Sequence, residues 1–213
     1  MDELSMPYVL YWNPFSGSLA PMAVLEEIGT HYEKILIDMD KGENRSTEYL
    51  TIQPLGLVPA IRLTNGRYAY ESAGICIYLA DRHPDCGLAP PVDDPGRAEF
   101  NQWMLFLADT IYPVYGRVAH PERYSTEPTD AAAIKAAAVS HRDTYWRVVE
   151  ESLKQRSWLV DERCSAADIF LMMLSTWHED KSAFAKAFPN VARVAASVAK
   201  RSGVQKALRL HGM

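Results

Sequence analysis

The sequence predicts an α/β domain followed by an all-α domain, and three observations carry that reading. The first half alternates short aromatic and β-branched runs with helical patterns, in the order β-α-β, β-hairpin, α. The segment His83 to Gly96 holds four of the chain's 13 prolines: Pro84, Pro90, Pro91 and Pro95. Beyond it, apolar residues recur with helical spacing to the end. The expected division is a first domain over 1–83, a proline-rich linker over 84–96, and a helical domain over 97–213.

Tyr8 to Trp12 (YVLYW) opens the order as a buried strand. Asn13 to Ser18 (NPFSGS) is a turn, and Ser18 is the expected N-cap of a helix through Ile28. Pro21 then falls in that helix's first turn, where a missing N–H matters little. Tyr32 to Ile37 is a second strand, and Lys41 to Thr47 reads as a polar loop. Val58 to Leu63 and Tyr68 to Tyr70 pair around the Asn65-Gly66 turn. Glu71 to Arg82 turns helical, with Gly74 marking a close approach. In the second half, Phe100, Trp103, Met104, Leu107 and Ile111 mark a helix that Pro113 must kink or end. Helices also follow around Ile134 to Leu153, Ser165 to Trp177, Val191 to Lys200 and Val204 to Leu210. The third of these is apolar enough to be buried all round.

Composition bounds the function. Hydrophobic residues make up 48% and charged residues 23% of 213, which suits a globular protein with a sizeable core. A net charge of −5 repels phosphate backbones and argues against nucleic acid. Cys76, Cys86 and Cys164 are too few and too widely spaced for a disulfide framework or a zinc site, and they suit a reducing compartment. Six histidines show no metal spacing, and His178-Glu179-Asp180 reads as a solvated helix end. No apolar run reaches the roughly 20 residues that a membrane span needs. The start, MDELSM, is unlike a secretory leader, so a cytoplasmic location is expected.

Two short pieces can carry chemistry, and a third is structural. In LGLVPAI, Pro59 either blunts a strand or forms a cis turn that leaves the Val58 backbone free to pair with an extended peptide. In YESAGI, Glu71 and Ser72 stand where a strand becomes a helix. Unpaired N–H groups and the positive dipole end there favour a carboxylate, although Ser72 could equally be only a cap. In CSAADI, Ser165 and Asp168 have capping-box spacing, flanked by Cys164 and Ile169 as a hydrophobic staple.

These pieces, together with LYWNPFSGSLAP, resemble the cytosolic glutathione transferase superfamily, in its order and over nearly the whole chain. The resemblance is to the serine-type theta and delta classes and to beta-like bacterial members. It implies a thioredoxin-like first domain before an all-helical second one, a homodimer, and glutathione as co-substrate with no metal. It implies further that Val58 and Pro59 hold the cysteinyl backbone of glutathione, while Glu71 and Ser72 hold its γ-glutamyl end. CSAADI matches the family's helix-capping motif. The sequence departs from the family at Leu57, where many relatives carry Gln or Lys. Asn44 or Arg45 could then supply the contact to the glycyl carboxylate.

A thiol of pKa about 8.5 is only a few per cent thiolate at pH 7, so a donor must be supplied at the sulfur. Ser16, two residues after Pro14, is the first candidate. Tyr11 is its rival, and Ser18 the third. The beta class carries a cysteine where this chain has Gly17, which argues against mixed-disulfide chemistry. For the electrophile, Trp12, Phe15, Tyr112, Tyr115 and Tyr124 supply aromatic surface and Arg117 supplies charge. The expected function is conjugation of glutathione to a small apolar electrophile, as in detoxification. A non-catalytic binding protein of the same fold, or a glutathione-dependent isomerase, dehalogenase or ether-cleaving enzyme, is the alternative.

Overall fold

A computed structural model describes residues 6–160 and 162–213. The leader reading of residues 1–5 lies outside the described residues. Two compact units emerge, one running to Pro91 and joined by Ala199–Met213, the other spanning Val92–Val198. The boundary at Pro91 falls inside the proline-rich segment. The chain's last helix does not group with the helical unit, as the expected span 97–213 had it; it belongs with the first unit.

The first unit is built on β1 (Tyr8–Trp12), α1 (Leu19–Ile28), β2 (Tyr32–Leu36), α2 (Thr47–Ile52), β3 (Ala60–Arg62), β4 (Tyr68–Tyr70) and α3 (Ser72–Arg82). The strands form one mixed sheet in the order β2-β1-β3-β4, with β1 and β2 parallel and the other pairs antiparallel. This is a thioredoxin-like arrangement. Side chains alternate along β1. Val9 and Tyr11 join Ile37, Tyr49, Ile52 and Ala60 in a cluster under α2. Leu10 points to the other face and is buried completely.

The segment expected as a loop at Lys41 to Thr47 instead contains a 3-10 turn, Glu43–Arg45, and the first residue of α2. Ser46 caps α2 by accepting from the Tyr49 N–H at 3.1 Å. At six residues this helix is too short for a periodic signal, and its sequence TEYLTI contains β-branched residues that argue against a helix.

The second unit contains α4 (Gly96–Leu105), α5 (Tyr112–Ala119), α6 (Ala131–Ser152), α7 (Ala166–Ser175) and α8 (Lys181–Ala187), with α9 (Pro189–Ala199) running to its end. Between α4 and α5 the backbone is π-helical over Phe106–Ile111. The helical backbone runs on through Pro113, so the proline does not end it. It lacks an N–H, and the wider turn ahead of it absorbs the mismatch. His178-Glu179-Asp180 lies between α7 and α8 with Glu179 and Asp180 exposed, as expected, but both side chains are also engaged. Asp180 caps α8, accepting from Ala183 N–H at 2.8 Å, and Glu179 accepts from the buried Arg142 guanidinium at 2.7 Å.

Every residue of α7 is buried. Its N-terminus carries the expected capping box. The Asp168 carboxylate accepts from the Ser165 N–H at 2.8 Å, the Ser165 hydroxyl at 2.9 Å and the Leu159 N–H at 2.9 Å. Burial pushes the Asp168 carboxyl up to about 6 against the pull of these three donors. Cys164 and Ile169, on either side, are both buried.

The last helix, α10 (Ser202–Leu210), packs on α1. Gly203 permits it: a Cβ there would lie 2.6 Å from the Glu27 backbone nitrogen.

Two substitutions test this packing. Asp168→Ala strands two buried backbone donors, and urea unfolding is expected to show a loss of about 2–4 kcal/mol. Gly203→Ala forces α10 away from α1, and the same measurement is expected to show a loss of about 1–3 kcal/mol.

Candidate functional site

The sheet register gathers the predicted pieces. Tyr11 pairs with Ala60, and Ala60 pairs with Tyr70, so the three residues form a row across β1, β3 and β4. Just beyond that row lie the turn after β1, Val58-Pro59 before β3, and Glu71-Ser72 after β4. Three segments far apart in sequence thus meet at one end of the sheet.

The turn is tightly bonded. The Asn13 side chain donates to the Ile37 carbonyl at 2.8 Å, and the Ile37 N–H donates to the Trp12 carbonyl at 2.9 Å, so the turn is tied to the end of β2. The Asn13 carbonyl accepts from both serine hydroxyls, Ser16 at 2.6 Å and Ser18 at 3.0 Å. The two hydroxyl oxygens are 2.6 Å apart. Ser16 Oγ also accepts the Ser18 N–H at 3.2 Å. Ser18 occupies the N-cap position of α1 but makes no side-chain cap, because its hydroxyl is turned back to Asn13. Ser16 is half-buried and Ser18 is buried.

Tyr11 is in that row, but its side chain belongs to the core. It belongs to the cluster under α2, with its ring 5.9 Å from Tyr49 and 6.3 Å from Tyr68. Burial, followed by the neighbouring Tyr68 hydroxyl, pushes its phenol up to about 12.

The Val58-Pro59 bond is cis. Among the described residues, no hydrogen bond occupies the Val58 N–H or carbonyl. The loop before it is held from behind. Gln53, which is buried, accepts from the Leu55 and Leu57 N–H groups at 2.6 and 3.3 Å. Tyr49 donates its hydroxyl to the Leu57 carbonyl at 2.7 Å. Asn44, expected as a ligand group, is buried and donates to the Gly56 carbonyl at 2.8 Å. Its amide is committed to the loop. Arg45 reaches the Leu55 carbonyl at 3.1 Å from an exposed position. Gln53 and Tyr49 were missed in the sequence because neither has a motif; their role exists only once the loop folds over them.

Glu71 has φ 73° and ψ 109°, a left-handed conformation that a non-glycine residue adopts only under constraint. Its carbonyl accepts from Ile75 N–H at 2.9 Å and starts α3, while its exposed carboxylate has no partner among the described residues. Ser72, the first residue of α3, is 7% exposed, and its hydroxyl also has no partner among them. An acceptor-rich anion placed here would meet that hydroxyl and the unpaired N–H groups of the helix start.

The aromatic candidates divide between the units. Trp12 packs on His211, with ring centroids 5.2 Å apart. Phe15 is 67% exposed at φ 54°. In the second unit Tyr112 stands edge-on to Trp177 at 4.8 Å. Tyr115 is a core residue: it is buried, its hydroxyl accepts from Trp146 Nε1 at 3.0 Å, and burial raises its phenol. Arg117 lies over the Tyr124 ring at 5.1 Å. Those two line a cavity of about 620 Å³ with Asp109, Thr110, His141 and Tyr145. No group of three metal-ligating side chains occurs among the described residues, and none of their helices is long and apolar enough to cross a membrane.

Comparison with known proteins agrees with this fold. Residues 18–82 match the glutathione S-transferase N-terminal domain, and residues 111–201 match the C-terminal domain. Glutathione S-transferase GstA of Escherichia coli O157:H7 is 28% identical over 96% of this chain and 98% of its own. Glutathione S-transferase 2 of Schizosaccharomyces pombe is 31% identical over 74% of this chain and 67% of its own. The solved structure of a sphingomonad glutathione S-transferase complexed with glutathione superposes with a TM-score of 0.84 at 27% identity, over 96% of this chain and 99% of that one. The domain matches, the relatives and the fold together make this chain a member of the cytosolic glutathione transferase superfamily.

Proposed function

We propose that this chain activates the thiol of glutathione and joins it to a small apolar electrophile. The observation that carries the reading is the meeting of the serine turn, the free Val58 backbone and the Glu71-Ser72 corner at one sheet end. The Val58 N–H and carbonyl pair with the cysteinyl unit of glutathione as a short strand would. The γ-glutamyl carboxylate sits at the start of α3, taking the Ser72 hydroxyl and backbone N–H. The Glu71 carboxylate accepts from the γ-glutamyl ammonium. Arg45, with guanidinium nitrogens left over from Leu55, is the group for the glycyl carboxylate, and Asn44 serves by holding the loop.

Thiol activation falls to Ser16. Its hydroxyl swings from the Asn13 carbonyl to the sulfur and stabilises the thiolate, and Ser18 keeps the carbonyl satisfied. The N-terminal end of α1 adds a positive potential. The thiolate then forms a carbon–sulfur bond, and the electron pair leaves with the displaced group or moves onto the accepting carbon skeleton. We assign Tyr11 to the core, since its phenol is walled in by Tyr49 and Tyr68. Dimerisation and a cytoplasmic setting complete the proposal.

One observation favours a second reading, a glutathione-binding protein without turnover: both serine hydroxyls are already satisfied within the turn. The ultraviolet thiolate band of bound glutathione separates the two. Conjugation requires the band in the wild type. Ser16→Ala is expected to remove it and to lower kcat/KM by about 10²–10³-fold, the usual effect of deleting one oxyanion donor, while Tyr11→Phe leaves it in place. Glutathione binding with no band would establish the second reading. Ser72→Ala is expected to weaken glutathione binding about 10–100-fold by titration calorimetry, as for a lost bond to a charged group. Sedimentation of the wild type as a monomer would remove the dimer from the proposal.

A further inference from the structure

The end of the chain returns to the turn that carries Ser16. Glu27, near the end of α1, accepts from Arg201 Nε at 2.7 Å, the Gly203 N–H at 2.8 Å and the Val204 N–H at 3.2 Å, which pins the start of α10. At its other end the helix closes on itself. The His211 N–H bonds to the Ala207 carbonyl at 3.0 Å, and the Gly212 N–H to the Arg209 carbonyl at 3.1 Å. Gly212 is left-handed at φ 74°, and the Met213 N–H returns to the Leu208 carbonyl at 2.9 Å.

This closure sets two contacts on the turn. The His211 ring lies 5.2 Å from that of Trp12, tilted by 45°. A Cβ on Gly212 would stand 4.0 Å from Phe15 Cζ. Trp12 and Phe15 flank Asn13-Pro14, and the Asn13 carbonyl receives both serine hydroxyls. His211 therefore packs on the turn at Trp12, and Gly212 lies near Phe15 on the other side of the acceptor that governs Ser16.

His211 is an unusual choice for that contact. It is 0% exposed, and neither ring nitrogen has a hydrogen-bond partner among the described residues. An unpaired buried polar group costs about 1–3 kcal/mol, which an apolar side chain of similar size would avoid. Burial also holds the imidazole far down, at about 4, so the ring is neutral at ordinary pH and offers one donor and one acceptor. Stability alone does not account for a histidine here.

We propose that His211 is a positioning residue of the thiol site: it packs on Trp12 to hold the Ser16 turn, and its imidazole hydrogen-bonds to that turn once the Ser16 hydroxyl moves to the glutathione sulfur. The proposal rests on the assignment of Ser16 as thiol activator. It gives the unpaired nitrogens a partner in the ligated state, and it makes the C-terminal helix part of the machinery without touching substrate.

The test is His211→Leu, close to histidine in volume and unable to hydrogen-bond. The readouts are the pH titration of the thiolate band of bound glutathione, kcat and KM with 1-chloro-2,4-dinitrobenzene, and the melting temperature. The proposal expects the bound thiol pKa to rise by about one unit, equivalent to a tenfold loss of thiolate at a pH below it. It expects kcat to fall correspondingly, KM for glutathione to stay near the wild-type value, and the melting temperature to hold or rise. His211→Gln, which keeps a hydrogen-bonding group, recovers thiolate relative to His211→Leu. A wild-type titration and kcat in His211→Leu, whatever its melting temperature, overturns the proposal and leaves His211 as packing. If His211→Leu does not fold, His211→Met gives the same comparison. A wild type that binds glutathione with no thiolate band sinks the Ser16 assignment and this proposal together; a band in the wild type that persists unchanged in His211→Leu sinks this proposal alone.

Discussion

The antiparallel register that aligns Tyr11, Ala60 and Tyr70 across β1, β3 and β4 is the constraint on which the candidate site depends. Side chains on a strand alternate with period two, so a slip of one residue would turn Val9 and Tyr11 out of the cluster under α2. The apolar pattern of β1 therefore fixes more than a core. It fixes which ends of three strands lie side by side, and with them the turn after β1, the Val58-Pro59 entry to β3 and the Glu71 exit from β4.

Groups at that end are left incomplete, while those that support them are not. The Val58 backbone, the Ser72 hydroxyl and the Glu71 carboxylate have no partners among the described residues. Glu71 also holds a backbone conformation that costs of the order of 1–3 kcal/mol. One layer behind, Gln53, Tyr49, Asn44 and Asn13 are each spent on a backbone group. Asp168, in the helical unit, is satisfied by three donors. Incomplete groups at this sheet end, set against satisfied supports, fit a candidate site kept ready for a ligand.

Much of this was legible in the sequence, for identifiable reasons. The strands, the Asn65-Gly66 hairpin, the capping box at Ser165 and the buried α7 all follow from local chemistry acting over a few residues. The cis bond at Val58-Pro59 and the corner at Glu71-Ser72 were readable because proline and helix starts leave strong marks. What stayed hidden was whatever a distant segment decides. The Ser18 side chain turns to Asn13 instead of capping α1, because the turn offers a competing acceptor. Asn44 looked free in a polar loop and is committed to Gly56 twelve residues on. Tyr115 looked available and is bonded to Trp146. The placement of α10 against α1 depends on Gly203 and Glu27, a pairing across most of the chain that no local pattern announces.

That last pairing bears on how the protein is made. The α/β unit is discontinuous: its body ends at Pro91, and its closing helix begins after the helical unit has been synthesised. Until residues 202–210 leave the ribosome, the surface of α1 that α10 covers stays open to water, and Glu27 has none of its three α10-side donors. The second unit, continuous in sequence, carries no such dependence and can assemble first. The turn bearing Ser16 thus meets His211 and Gly212 only after the helical unit has been synthesised, which makes the candidate site depend on a segment far downstream of it.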